Sequence, residues 1–84
     1  MQNALLHHLG IEIRSLRLAA GLSQVVLGER CGFYQTYLSR IESGRANPTI
    51  NALEVIANAL GITVFELFAR VRVRCSETDN LRDS

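Results

Sequence analysis

Residues 24–42 read Gln24-Val-Val-Leu-Gly-Glu-Arg-Cys-Gly-Phe-Tyr-Gln-Thr-Tyr-Leu-Ser-Arg-Ile-Glu42, and this stretch decides the fold. Leu27 and Leu38 fall at the apolar positions of two short helices. Gly32 follows the first of these helices, at the position where a left-handed residue ends a helix and turns the chain. Gly28 lies inside a helix, where glycine costs about 1 kcal/mol relative to alanine, so we expect the two helix backbones to cross closely there.

Two short helices hinged at a glycine are typical of a helix-turn-helix, whose second helix lies in the major groove of DNA. Hydrophilic residues stand between the apolar positions of the second helix, and all four can hydrogen-bond to base edges: Gln35, Thr36, Ser39 and Arg40. Arginine can bind O6 and N7 of guanine, and an amide side chain can bind N6 and N7 of adenine. The plain alternative is an ordinary solvated helix face.

The composition gives only weak support for nucleic-acid binding. The 84 residues have a net charge of +1, and the nine basic residues, all arginines, face eight acidic ones. A charge this small predicts a few placed phosphate contacts, a shallow salt dependence and weak non-specific binding. An apolar content of 48% predicts one small folded domain, which self-association would stabilise further.

The sequence does not support a membrane protein, a secreted protein, a metalloprotein or an enzyme. No apolar run approaches the roughly 18 residues of a membrane span, and the N-terminus lacks a secretory pattern, so we expect no membrane and a cytoplasmic location. Cys31 and Cys75 have no zinc spacing, and we expect the first in the core and the second in an exposed tail. His7 and His8 are adjacent, which favours surface residues over metal ligands. The sequence predicts no catalytic site, no metal and no cofactor, and therefore no enzyme.

Five helices are predicted, so the fold class is all-α. The fifth helix starts at a capping box, Thr63-Val-Phe-Glu66. Val71-Arg-Val-Arg-Cys75 alternates and fits either a helical extension or a short strand, and the polar end from Ser76 is expected to fray. We divide the chain into a DNA-binding domain, residues 1–70, and a C-terminal tail, residues 71–84, that is a dimerisation extension or a frayed end. The first four helices cover about Leu5–Ala20, Gln24–Cys31, Gln35–Ser43 and Ile50–Leu60.

The chain resembles the lambda-repressor-like, or Cro/XRE, DNA-binding domain over roughly Leu6 to Ala69. Five motifs in the family's order carry the resemblance: Ile13-Arg-Ser-Leu-Arg17, Gly21-Leu-Ser-Gln24, Thr36-Tyr-Leu-Ser-Arg-Ile-Glu42, Gly44-Arg-Ala-Asn-Pro-Thr49 and Leu60-Gly-Ile-Thr-Val-Phe-Glu-Leu-Phe68. Thr36-Tyr37 followed by Asn47-Pro-Thr49 is similar to the subgroup of restriction–modification controller proteins and small phage or plasmid regulators. The resemblance implies a five-helix fold and a domain that dimerises without a separate effector domain.

The resemblance also implies roles for the matching positions. Base edges would be contacted by Gln35, Thr36, Ser39 and Arg40. The DNA backbone would be contacted by Gln24, Tyr37, Arg45 and Asn47. The first and third helices would be joined by a buried ion pair between Arg17 and Glu42. The fifth helix would supply the dimer surface, for which we single out Val64, Phe65, Phe68 and Val71.

Some positions depart from the family or keep a simpler interpretation. Tyr34 replaces a small polar capping residue, and Gly28 replaces the usual alanine. Tyr37 fits a half-buried ring with its hydroxyl toward water as well as a backbone contact. Asn47 fits a residue that only shapes the turn before proline. Arg14, one helical turn before the ion-pair arginine, fits a solvated side chain or a phosphate contact.

Two functions follow from these patterns. The first is a transcriptional regulator that binds double-stranded DNA as a homodimer, with the third helix of each subunit in successive major grooves about 34–36 Å apart on a near-palindromic operator. The second is a module whose main role is to bind a partner protein, such as an antitoxin that binds a toxin or an adaptor. The alternating segment from Val71 to Cys75 and the apolar fifth helix favour that alternative. Activation would need RNA polymerase as a further partner, and the sequence does not identify a surface for it.

Overall fold

The chain folds into five helices joined by short turns, and the computed structural model describes residues 3–83, with side chains as far as Glu77. No strand occurs within residues 3–83, so the all-α prediction is confirmed. The predicted bounds of the first four helices agree with the structure to within one residue. The helices are α1 Ala4–Ala19, α2 Gln24–Cys31, α3 Gln35–Glu42, α4 Ile50–Ala59 and α5 Val64–Asp83.

Local signals set most of the helix boundaries. The hydroxyls of Ser23 and Thr49 each accept a hydrogen bond, at 3.1 Å, from the amide three residues further on, and so cap α2 and α4. The predicted capping box is present at the start of α5, where the Glu66 amide donates to Thr63 Oγ1 and the Thr63 amide donates to the Glu66 carboxylate. Gly32 ends α2 with φ 75°, in the left-handed region.

A single apolar core receives side chains from all five helices. α1 contacts α3 and α5, while α2 contacts α3 and α4, and α4 contacts α5. α2 and α3 therefore pack on a support formed by α1, α4 and α5. Burying one such aliphatic side chain stabilises the fold by about 1.5–3 kcal/mol. The most deeply buried side chains are Ile13, Leu27, Leu38, Ile41, Ile56, Leu67 and Val71.

α5 continues without a break beyond the division that we predicted at residue 70. Val71 is fully buried and Cys75 packs against the core, so the alternating segment is helical and is not a strand. The expectation of an exposed Cys75 was wrong, because the helical period turns this side chain back toward the core. The helix continues through Asp83, where we expected a frayed end from Ser76. The division into domain and tail stays a prediction, and Met1, Gln2 and Ser84 lie outside the described residues.

Ion pairs hold this part of α5 on α1. Glu12 of α1 is buried, with only 6% of its surface exposed. Its carboxylate accepts a hydrogen bond from Nε of Arg74 and lies 3.8 Å from Nη1 of Arg70. Because Arg70 and Arg74 are four residues apart, both stand on the same side of α5. The two arginines together neutralise a carboxylate that would otherwise be costly to bury.

No helix in the described part of the chain is by itself long and apolar enough to cross a bilayer. α4 and α5 reach that length and composition only as a pair, up to Glu77, and the two helices are bent by 97° at the break between them.

Glycines allow α3 to approach its neighbours closely. A Cβ added at Gly10 of α1 would lie 2.6 Å from the carbonyl oxygen of Ile41 and closer still to that of Glu42. A Cβ added at Gly28 of α2 would lie 2.8 Å from the carbonyl oxygen of Phe33. The close approach predicted at Gly28 is confirmed, although its neighbour is the turn before α3 and not a crossing helix. The approach at Gly10 was not predicted.

Replacement of Gly10 by alanine tests this contact. Gly10→Ala should lower the free energy of unfolding by about 1–3 kcal/mol, because the methyl group would force α1 away from the end of α3. Helix propensity alone would make the variant more stable by about 1 kcal/mol, because alanine is favoured over glycine in a helix, so the two effects have opposite signs. Urea denaturation followed by circular dichroism measures the change. Ser15→Ala, at an exposed position of the same helix, is the control and should change stability by less than about 0.5 kcal/mol. A Gly10→Ala variant as stable as the wild type would contradict the contact.

Candidate nucleic-acid interface

The turn between α2 and α3 sets the direction of α3. Gly32 reverses the chain, and the Phe33 amide donates a hydrogen bond of 2.8 Å to the Gly28 carbonyl. α3 then begins without a side-chain cap, because Tyr34 makes no capping hydrogen bond and is 85% exposed. The departure from a small polar residue at this position therefore leaves the start of α3 to be fixed by other contacts.

A buried ion pair joins α1 to α3, as predicted. Arg17 donates from Nε to Oε2 of Glu42 at 2.7 Å and from Nη2 to Oε1 at 3.0 Å. Its third nitrogen, Nη1, donates to the Leu22 carbonyl at 2.8 Å. The two side chains are only 8% and 3% exposed. The guanidinium therefore binds the carboxylate with two parallel hydrogen bonds and also fixes the turn between α1 and α2.

The charge of Arg17 does not depend on pH in the neutral range. The hydrogen bonding of Arg17 to the Glu42 carboxylate raises the pKa of Arg17 above its usual value, against the opposing effect of burial, and the charge of Glu42 adds to the rise. A cation whose pKa is raised on folding stabilises the fold at every pH below its unfolded value. An arginine keeps its proton far above neutral pH even in the unfolded chain, so Arg17 is charged throughout the physiological range.

Two glutamine amides extend this contact to the start of α3. Gln24 donates from Nε2 to Oε1 of Glu42 at 3.0 Å, and Gln35 donates from Nε2 to Oε1 of Gln24 at 3.0 Å. Because a carboxylate only accepts hydrogen bonds, the nitrogen of Gln24 faces Glu42 and its oxygen faces Gln35. Gln35 keeps its own oxygen and one N–H for another partner. We call Arg17, Glu42, Gln24 and Gln35 the polar chain.

The outward side of α3 is not covered by the rest of the protein. Gln35, Thr36 and Arg40 are exposed, and Ser39 is half-buried. Arg40 donates from Nη2 to the Arg45 carbonyl at 3.3 Å, which holds its guanidinium near the loop after α3. The structure thus places all four predicted base-contact residues along one surface, which we call the α3 ridge.

The residues predicted to contact the DNA backbone lie on α2, on α3 and in the loop after α3. Gln24 belongs to the polar chain and is hydrogen-bonded to Gln35, the first residue of the α3 ridge. Tyr37 is half-buried, and its ring meets Phe33 edge to face, with centroids 5.2 Å apart and planes at 87°. Arg45 and Asn47 are exposed in the loop between α3 and α4. The ring of Tyr37 therefore packs as the simpler interpretation expected, and DNA contact by these four residues stays a prediction.

The predicted dimer surface needs a correction. Val64 and Val71 are 6% and 1% exposed, because they face the core between α1, α4 and α5. Phe65 and Phe68 are 80% and 37% exposed and remain available for contact. An apolar hollow of about 230 Å³ lies beside Phe68. The exposed apolar wall of this hollow, formed by Leu5 and Ile50, was not predicted, although both residues lie off the apolar sides of their helices.

The cysteines and histidines are not among the residues of the α3 ridge. Cys31 is half-buried against the core, and burial raises the pKa of its thiol, which makes it less reactive than a free thiol. His7 is exposed and His8 half-buried, with their ring centroids 5.6 Å apart.

Comparison with known proteins identifies the family. The family model of the helix-turn-helix domain matches residues 8–67. The chain belongs to this family. Membership confirms the predicted resemblance and the class of DNA-binding transcriptional regulator.

Relatives of this helix-turn-helix domain include regulators of several kinds. The HTH-type transcriptional regulator y4dJ of Sinorhizobium fredii is 45% identical over 58 residues, which are 69% of this chain and 75% of the relative. The immunity repressor of Bacillus phage phi105 is 42% identical over 55 residues, which are 66% of this chain and only 38% of the repressor. The crystal structure of the restriction–modification controller protein C.AhdI from Aeromonas hydrophila superimposes with a TM-score of 0.75 at 35% identity, covering 77% of this chain and 98% of that one.

The buried ion pair can be tested by removing one charge. Glu42→Gln should lower the free energy of unfolding by about 3–5 kcal/mol, because it leaves the Arg17 guanidinium buried without a counter-charge. Urea denaturation measures the loss. Glu54→Gln makes the same chemical change at an exposed position of α4 and should shift stability by less than about 0.5 kcal/mol. Equal losses in the two variants would show that the buried pair has no special importance.

Proposed function

We propose that this protein is a homodimeric transcriptional regulator that inserts α3 of each subunit into the major groove of a near-palindromic operator. The observation that carries the proposal is the exposed α3 ridge, whose first residue is held by a polar chain that starts in the core. A side chain that is already oriented loses less conformational entropy when it binds a base. The α3 ridge is therefore suited to read a sequence and not only to attach to DNA.

The hydrogen-bonding groups left on the α3 ridge suggest which bases it reads. Gln35 retains one N–H and one oxygen, which match N7 and N6 of adenine. Arg40 presents a guanidinium that matches O6 and N7 of guanine. Thr36 offers a hydroxyl, or a methyl group to thymine, and Ser39 offers a hydroxyl. We propose that these four residues specify the operator.

The charges near the α3 ridge favour DNA in spite of the small net charge. Arg40 is an exposed residue of the α3 ridge, and Arg45 is exposed in the loop that follows α3. Glu42, the carboxylate of α3, is buried and paired with Arg17, so it does not repel phosphate. Arg40 and Arg45 therefore bring two positive charges to the surface where the DNA backbone would lie, and we propose that Gln24, Tyr37, Arg45 and Asn47 contact that backbone.

The exposed apolar surface of α5 supports the homodimer. Phe65 and Phe68 are three residues apart and stand on one side of the helix. Phe68 borders the apolar hollow, together with the exposed side chains Leu5 and Ile50. A two-fold axis through such a surface would cover it in both subunits at once. Two subunits would also double the base and phosphate contacts, which compensates for the few charges of each.

The remaining parts of the proposal concern location and partners. We propose that the protein has no catalytic activity and acts in the cytoplasm, where it meets DNA. One observation that favoured a partner-binding module, the alternating segment from Val71 to Cys75, no longer supports it, because Val71 is buried and Cys75 is half-buried against the core. Its remaining support is the exposed Phe65, which a toxin or RNA polymerase would cover as well as a second copy.

Arg40 is the residue to test for sequence recognition. The wild type is first used to select its preferred DNA from a randomised pool. Arg40→Ala should lower the difference in binding free energy between this selected DNA and unselected DNA by about 1–3 kcal/mol, because the bidentate contact with guanine is lost. Fluorescence anisotropy at fixed salt measures both affinities. Arg30→Ala removes an equal charge from the exposed end of α2 farthest from Gln24 and should keep the preference. An unchanged preference in Arg40→Ala, with the fold intact, would remove this residue from the site.

Phe65 is the residue to test for dimerisation. Phe65→Ser should raise the dimer dissociation constant by about 30-fold or more, the size of effect typical of a central aromatic residue in an interface. Sedimentation velocity measures the constant, and thermal melting of the isolated monomer checks the fold. Val25→Ser, at an exposed apolar position of α2, should leave the constant unchanged. A monomeric wild type would contradict the homodimer and leave Phe65 to a partner protein.

A further inference from the structure

We infer that a hollow between α1, α2 and α3 is a phosphate-binding site, occupied by a backbone phosphate of the DNA whose groove α3 enters. The inference rests on the proposed function and adds a contact from α1. The hollow has a volume of about 310 Å³ and lies beside the α3 ridge. We call it the Arg14 hollow, and its lining residues are Arg14, Arg17, Gln24, Ser39, Glu42 and Ser43.

The charges that line the Arg14 hollow favour an anion. Arg17 and Glu42 neutralise each other through their paired hydrogen bonds. Arg14 is exposed, and among the residues that the structure describes it makes no ion pair and no side-chain hydrogen bond. The lining therefore has a net charge of +1, concentrated on the Arg14 guanidinium, for which the described part of the chain supplies no partner. An arginine in this state binds a phosphate oxygen more readily than one that already has a carboxylate.

The neutral groups of the Arg14 hollow also suit a phosphate. Ser39 and Gln24 offer a hydroxyl and the second N–H of an amide, and both groups commonly bind phosphate oxygens in DNA complexes. The Ser43 hydroxyl donates to the Arg40 carbonyl at 3.2 Å, so its hydrogen is already used. The hollow thus provides three donors, from Arg14, Gln24 and Ser39, that come from three different helices.

The position of the Arg14 hollow identifies the source of the phosphate. Gln35 and Ser39 are four residues apart and lie along one side of α3, and Ser43 caps the end of the helix. The wall of the hollow is therefore continuous with the α3 ridge. When the ridge lies in the major groove, the sugar-phosphate backbone that borders the groove must pass beside this wall. The hollow is also open to solvent along Arg14, which suits a phosphate held by the duplex better than a free anion that needs enclosure.

The dependence of DNA affinity on salt tests the site. Each phosphate neutralised by a cationic side chain contributes about −0.9 to the slope of log K against log salt concentration. Arg14→Gln should therefore make the slope shallower by about 0.9 per protomer, and by about twice that in a dimer. The affinity for selected and for random DNA should fall by the same factor, because a phosphate contact does not read sequence. Arg14→Lys should keep the wild-type slope, and so should the control Arg30→Gln.

A second arm locates the phosphate on the DNA. Neutral methylphosphonate is placed at one backbone position at a time in the selected DNA. At one position per half-site, the substitution should weaken binding of the wild type and of Arg30→Gln, and should have no further effect on Arg14→Gln. Such non-additivity shows that the side chain and the phosphate contact each other.

The outcomes separate this inference from the proposed function. If wild-type protein selects no DNA, the proposed function fails, and the inference fails with it. If the wild type selects DNA but Arg14→Gln keeps the wild-type slope and couples to no methylphosphonate, only the inference is overturned. Inorganic phosphate gives the third test. It could shift the NMR signals of Ser39 and Ser43 in the wild type but not in Arg14→Gln, while the slope of log K for DNA against log salt concentration is equal in both proteins. In that case the site takes a free anion, and the assignment to the DNA backbone is wrong.

Discussion

The hydrogen-bonded ion pair between Arg17 and Glu42 is the interaction on which the interface depends. It joins α1 to α3 and also fixes the turn before α2 through the Leu22 carbonyl. Buried ion pairs contribute little net stability, since desolvation offsets most of their attraction. The contribution of this pair is to orient the side chains that bind to it. Because Glu42 uses one oxygen for both Arg17 and Gln24, the orientation of the amide that holds Gln35 is set from inside the core.

Close approach of backbones fixes α3 independently of its side chains. Gly28 admits the carbonyl of Phe33 at the start of α3, and Gly10 admits the carbonyls of Ile41 and Glu42 at its end. α3 is thus held at both ends by contacts that do not involve the α3 ridge. Residues of the ridge can change without loss of the fold, which is how one scaffold can present different ridges to different DNA sequences.

The sequence predicted the elements whose signals are local. Caps such as Ser23 and Thr49, and glycines with positive φ, mark helix ends without any tertiary information. The errors concern contacts that join distant segments. Gly10 was missed because its neighbours, Ile41 and Glu42, are brought to it only by folding. Val71 was assigned to a dimer surface, and Cys75 to an exposed tail, because periodicity along α5 does not show which side of it α1 covers. The α3 ridge was predicted as exposed because its polar residues alternate with apolar ones over a short, strongly amphipathic helix.

The Glu12 ion pairs give α1 a role that its own sequence does not suggest. Through Arg74 and Arg70, the carboxylate docks α5 on the same helix that holds α3 at Gly10 and Arg17. α1 is therefore the common support of the helix that would join two subunits and the helix that would enter DNA. In the proposed dimer, the separation and tilt of the two DNA-reading helices are determined by how each is seated on α1. Changes at the α1–α5 contact would then alter the permitted distance between operator half-sites and leave the preferred bases the same.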